Sequence, residues 1–142
     1  MAKIVIKALP FGEPGIIDNG IPDEMELSYL RVRYGVDCTL LQKEEQINVE
    51  ITLSYVFKGK TIYSFSLLNP FEVADMENLV QYHPEMGNIT FKNDILPIIV
   101  LSAFNATRGY MAAKVEKTLL KVLPFPLLSE RELMKTCNLE ME

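Results

Sequence analysis

The side chains in this sequence that could do chemistry are one histidine, two cysteines and several close-set carboxylates. His83 stands between Tyr82 and Pro84 among turn signals. An imidazole there could move a proton, but general-base work needs a positioned partner, and none is in view. The expectation is a turn residue. Cys38 and Cys137 share no metal-ligand or redox spacing, which reads as two free thiols in a reducing cytosol. Asp23, Glu24 and Glu26, and the pair Glu44-Glu45, fall at strand boundaries and read as solvated loop charge. No serine sits in a nucleophile elbow, no glycine-rich loop precedes a helix, and no His/Cys/Asp set has ligand spacing. The expectation is a non-enzyme, with no catalytic residue, metal site or cofactor.

Two apolar stretches ask for more than a core. The first is residues 94–116, DILPIIVLSAFNATRGYMAAKVE, which reads as one long helix capped by Asn93 or Asp94. Pro97 falls in its first turn, where a missing N–H is tolerated. At about 100° per residue, Ser102, Ala106, Gly109 and Ala113 line up as a ridge of small side chains. Val100, Phe104, Met111 and Val115 gather opposite, as bulk for the chain's own sheet; the reverse assignment of the two faces is also open. A helix apolar on two faces is usually covered on both. A symmetric oligomer that closes over the small ridge is therefore expected. Gly109 inside the helix costs about 1 kcal/mol relative to Ala, which points to close approach of another backbone or to a break there. The second stretch is KVLPFPLL at 121–128, where Pro124 and Pro126 forbid a helix. Leu123, Phe125 and Leu127 could pack on the domain, or wall a groove for an extended apolar peptide, with Tyr110 or Met111 opposite.

The elements that must position these stretches follow in order. Lys3 to Leu9 is a short strand, and the turn-rich link after it is longer than a hairpin needs, so this strand should cross over to a distant place in its sheet. Leu30, Val32, Tyr34, Val36, Cys38 and Leu40 alternate with polar residues, as do Ile47 to Phe57 and Tyr63 to Val73. Lys58-Gly59 is a hairpin turn, and Asn69-Pro70 suggests a bulge or kink. Residues 72–93 read as irregular, with turns at His83-Pro84 and Gly87-Asn88. Ser129 to Glu132 is a capping box opening a short helix to about Thr136.

The 142 residues make room for a single domain, 1–142, of α+β class with its helices on one side. Net charge of −5 with dispersed Lys and Arg argues against nucleic acid. No unbroken apolar run approaches the roughly 18 residues of a membrane span, and the start lacks a secretory signal's pattern. A cytoplasmic protein without membrane insertion is expected.

Residues 7–14 (KALPFGEP), Phe71-Glu72-Val73, Arg108-Gly109 and residues 123–129 (LPFPLLS) are four motifs whose order resembles the SecB-like export chaperones. Residues 7–14, KALPFGEP, look like the end of that family's first strand. Phe71-Glu72-Val73 is similar to the end of its fourth strand, and Arg108-Gly109 to the Arg-Gly of its long helix. Residues 123–129, LPFPLLS, with Glu132-Leu133 after them, resemble the crossover feeding its short second helix.

The resemblance implies a four-stranded antiparallel sheet with a long crossover after strand one, then a long helix and a short C-terminal helix. It also implies a homodimer or homotetramer whose long helices lie between two sheets, and ATP-independent holding of unfolded or partly folded polypeptides, for export or for a dedicated client. On this reading Tyr110, Met111, Leu123, Phe125 and Leu127 form the client groove, and Ser102, Ala106, Gly109 and Ala113 the oligomer interface. Family members serve the translocase motor SecA or an antitoxin. Here Ala8 and the Ser64–Ser66 region carry no carboxylate where acidic docking residues usually stand, which implies weak SecA binding. The alternative is a non-catalytic interaction protein using the same fold for one specific partner. A thioesterase-like enzyme would place its long helix between early strands, whereas here the four expected strands precede it.

Overall fold

The computed structural model describes residues 4–114, 123 and 125–141. Its centre is the meander of β3 (Leu30–Leu41), β4 (Gln46–Phe57) and β5 (Lys60–Val73). Period-2 alternation does here what it should. Val36, Cys38 and Leu40, Ile47 through Tyr55 at every second position, and Phe65, Leu67, Phe71 and Val73 are all 5% exposed or less. Asp37, Glu50 and Glu72, on the other face, are exposed. The β4–β5 hairpin turns through Lys58 (φ 49°) and Gly59 (φ 80°), the pair of positive φ angles that suits the strands' twist.

β1 (Ile6–Ala8) pairs antiparallel with β5, Ile6 opposite Val73, so the expected crossover places the first strand beside the last strand of the meander. The link after it is long because it holds a strand of its own, β2 (Gly15–Asp18), which pairs further along β5. Between them Leu9 donates to the Pro70 carbonyl (2.9 Å) and Gly12 to that of Leu68 (3.1 Å), which keeps the chain alongside β5. A Cβ on Gly15 would stand 2.5 Å from the Ser66 hydroxyl, so a side chain there would make that serine turn away.

The bulge is not at Asn69-Pro70. There Asn69 and Pro70 face Val49 and Asn48 in unbroken register, and the slip lies between Tyr55 and Val56. A strand residue's N–H and C=O point to the same side. Since the Pro70 carbonyl faces Leu9, its missing N–H leaves a gap only on the edge side, and the β4 ladder is intact.

Residues 72–93 are more regular than expected. They hold a one-turn helix, α1 (Met76–Leu79), and a hairpin of β6 (Val80–His83) and β7 (Asn88–Phe91). α2 (Ile95–Lys114) then lies across the sheet and buries Ile95, Leu96, Ile99, Val100, Ala103, Phe104, Thr107 and Met111. The bulky face therefore meets the chain's own sheet, and the small ridge points away. Val115 lies outside the described residues. By length and average hydropathy α2 could cross a membrane, a property shared by core helices. The helix runs unbroken through Gly109, where an added Cβ would meet nothing within 4 Å among the described residues. No described backbone approaches there, so the described residues do not explain the cost of that glycine.

α3 (Glu130–Lys135) opens with the full capping box: Ser129 Oγ accepts from the Glu132 N–H and Glu132 accepts from the Ser129 N–H. Its Leu133 is buried against the same core as Phe104. The chain then enters β8 (Cys137–Met141), parallel to β3. The result is an α+β fold with a six-stranded mixed sheet, order β1-β5-β4-β3-β8 with β2 also on β5. The expectation of four antiparallel strands left out β2, hidden in a turn-rich link, and β8, too short for alternation to stand out.

Candidate functional site

The outer side of α2 and the β1 edge form two walls of a trough. Along the helix, Ile98 is 57% exposed, Ser102 is exposed and Ala106 half-buried. The facing wall is Ile6, Ala8, Leu9 and Phe11, and the floor is Asn69, Pro70 and Phe71. One hollow of about 130 Å³ lies between Phe11 and Ala106. A second, of about 280 Å³, lies between Ile6 and Ile98. Ala8, Phe71 and Ser102 line both, so the two are continuous. No lining residue titrates. The trough offers apolar contact rather than reactivity.

Phe11 is held there by an aromatic chain: its ring meets Tyr110 edge-on at 5.5 Å, and Tyr110 tilts against Phe65 at 6.1 Å. Beyond Phe11 the edge continues as β2, all four residues exposed, with Ile16 and Ile17 more than half uncovered. Asn69 sits at the floor, 2% exposed; its carboxamide oxygen finds no hydrogen-bond partner among the described residues.

The residues expected to line a client groove separate in the structure. Met111 and Leu123 are each 1% exposed and belong to a second core with Tyr55, Tyr63 and Phe65. Burial of that order makes them packing residues, not an accessible wall. Phe125 is half-buried, stacked at a tilt on Phe104 (5.0 Å) under the Arg108 guanidinium (5.6 Å), and touches both cores. Leu127 is 86% exposed. Tyr110 is the one of the five that abuts the trough, through Phe11. Of the residues expected at an oligomer interface, Ser102 and Ala106 line the trough, while Gly109 and Ala113 are exposed beyond it. The 117–122 part of the crossover and Pro124 lie outside the described residues.

The other candidates have local explanations. His83 Nε2 lies 3.0 Å from the Thr90 hydroxyl across the β6–β7 hairpin. Asp23, Glu24 and Glu26 rim an open surface hollow with Lys58, whose ammonium lies over the Tyr29 and Phe57 rings. Among the described residues no group of three or more His, Cys, Asp or Glu could hold a metal ion. Cys38 and Cys137, distant in sequence, have their sulfurs 3.3 Å apart.

Sequence reasoning missed the β1 wall of the trough. Its signal was present in the apolar first half of α2, since Ile98, one turn before Ser102, extends the small-residue face with a large apolar side chain. No family model, curated protein or solved structure matches this chain.

Proposed function

We propose that the chain is a SecB-like, ATP-independent holding protein that takes up extended apolar segments of non-native polypeptide along the β1–β2 edge and the adjoining trough. The observation that carries this reading is the continuity of a strand edge left unpaired among the described residues with an apolar, non-titrating cleft. An extended peptide needs both: strand-like backbone groups to pair with, and pockets for alternate side chains. Ile16, Ile17, Phe11 and Ile98 are exposed apolar side chains on the edge and on the helix, and clustered apolar area on a folded domain marks an interaction site. SecA or an antitoxin remains a candidate downstream partner under this proposal.

A second reading keeps the trough and changes its occupant. Ser102 and Ala106 are small and outward-facing, which suits a second copy of the helix or one folded partner, giving a homodimer or homotetramer.

The test is suppression of aggregation of a chemically unfolded protein, with its native form as control. Wild type should suppress aggregation and ignore the native form, and Ile98→Asp should weaken the effect at unchanged melting temperature. Binding of the native form alone would favour the folded-partner reading, and no effect on aggregation would remove the holding function.

A further inference from the structure

We propose that Cys38 and Cys137 are a redox couple within the chain, closing to a disulfide that fixes the C-terminal strand β8 onto β3 when a hydroperoxide reaches the Cys137 sulfur. The placement is made by the fold. β3 and β8 already pair in parallel, Cys137 opposite Val36 and Cys38 opposite Leu139, so the two thiols are diagonal neighbours on the sheet face that meets the core. Their sulfurs are 3.3 Å apart. A disulfide bond is about 2.05 Å long, so closure asks for little more than about 1 Å of sulfur movement.

The two thiols are unequal, which gives each a role. Cys38 is 1% exposed, whereas Cys137, the first residue of β8, is only half-buried. A reagent from solvent therefore meets Cys137 first. The shared S–H···S contact works in the same direction: it lowers the pKa of Cys137 and raises that of Cys38, which burial raises further. Of the two, Cys137 is the more readily ionised, and the thiolate is the form that attacks peroxides.

The chemistry balances as follows. The Cys137 thiolate attacks the terminal oxygen of the hydroperoxide and the O–O bond breaks. The leaving alkoxide takes up a proton as the alcohol (water, for hydrogen peroxide), and Cys137 becomes a sulfenic acid. The Cys38 sulfur then attacks the Cys137 sulfur. The S–S bond forms, the S–O bond breaks, and the departing hydroxide leaves as water with the Cys38 proton. In sum, two thiols each lose one electron and the hydroperoxide gains two.

What closure fixes is an edge. β8 is reached directly from α3, and its Cys137, Leu139 and Met141 cover the core beside Cys38. The bridge ties residues 99 apart in sequence and holds the last described strand to the meander.

The experiment treats the full chain with stoichiometric hydrogen peroxide, then denatures and alkylates it. Expected are a loss of two hydrogens by intact mass, loss of both alkylatable thiols, one peptide cross-linking Cys38 to Cys137, slower hydrogen exchange in β8, and reversal by dithiothreitol. Cys38→Ala should accumulate a sulfenic acid at Cys137 that dimedone traps. Cys137→Ser, at the more tolerant half-buried position, should leave Cys38 a free thiol under the same treatment. Disulfides between chains, sulfinic acid at Cys137 with Cys38 still alkylatable in the wild type, or oxidation of Cys38 in Cys137→Ser would each overturn the proposal.

Discussion

Asn69 of β5 donates its carboxamide N–H to the hydroxyl of Thr107 on α2 across 3.1 Å, a polar clasp inside an otherwise apolar interface. The same Nδ2 reaches the carbonyls of Leu67 (3.1 Å) and Val49 (3.3 Å), and the Thr107 hydroxyl donates to the Ala103 carbonyl (2.8 Å). Both residues are buried, at 2% and 0% exposure. The clasp fixes the rotation of α2 on the sheet. That rotation in turn sends Ser102 and Ala106 outward to the trough.

Thr107→Val keeps the shape and deletes the acceptor, so it should cost about 1–2 kcal/mol. Asn69→Leu should also destabilise, by removing a side chain that ties β4, β5 and α2 together. The two losses should not add, because each variant breaks the same bond. Urea denaturation of both single variants and the double variant measures this, and additive losses would show that the clasp does not couple helix to sheet.

Alkaline pH should weaken the fold through Tyr55. Burial pushes its phenol up to about 12, and burial moves Tyr63 in the same direction. An unfolded tyrosine titrates near 10. Below about pH 10 both states are protonated and the contribution is fully present. From there to about 12 the unfolded chain loses its proton first, so stability falls, by an amount on the order of 2–3 kcal/mol for Tyr55. Urea midpoints between pH 9 and 12 should show the decline, and Tyr55→Phe should flatten it. A decline of the same size in the variant would place its source elsewhere.

The meander was legible because three strands with one wet face each write an alternation into the chain, from Leu30 to Val73. The capping box at Ser129 was legible because four local residues define it. Crossover of the first strand followed from the length of the link after Leu9, though not the strand Gly15–Asp18 within it. β8 was not legible: five residues at a parallel edge, with half-buried and exposed positions alternating, look like many tails. The Cys38–Cys137 approach was invisible for a different reason, since spacing along the chain says nothing about neighbours brought together by a parallel return. The trough was half-read. Its helical wall is periodic and was seen, while Ala8, Leu9 and Phe11 acquire meaning only once β1 lies beside β5.

Phe125 and Leu127 should separate packing from recognition. Phe125 touches Phe104 and Arg108 and bridges both cores, so Phe125→Ser should lower stability by roughly 2–3 kcal/mol, less than loss of a fully buried aromatic because Phe125 is only half-buried. Leu127 is 86% exposed, and Leu127→Ser should leave stability within about 0.5 kcal/mol. If Leu127→Ser nonetheless weakens aggregation suppression, this residue belongs to the client surface. Thermal melting and the aggregation assay, run on both variants, decide the matter; an unaltered melt for Phe125→Ser would refute its packing role.

Gly109 gives the sharpest test of assembly. It lies on the exposed side of α2, and an added Cβ meets open space among the described residues. In a lone chain, Gly109→Leu should therefore stabilise the helix by up to about 1 kcal/mol, since glycine is the poorer helix former. In an oligomer closed over Ser102, Ala106, Gly109 and Ala113 the same change adds bulk on both sides of a two-fold contact, and overpacking of this kind typically costs about 1–3 kcal/mol. The two cases predict opposite signs. The alternative in which the small ridge rests on the chain's own sheet no longer applies, because Val100, Phe104 and Met111 occupy that side. Sedimentation at micromolar concentration should show an oligomer for the wild type, and a lighter species for Gly109→Leu whose melting temperature no longer depends on concentration. A wild-type monomer, or a variant of unchanged mass and raised melting temperature, would take this ridge out of the interface and leave the glycine without a structural reason.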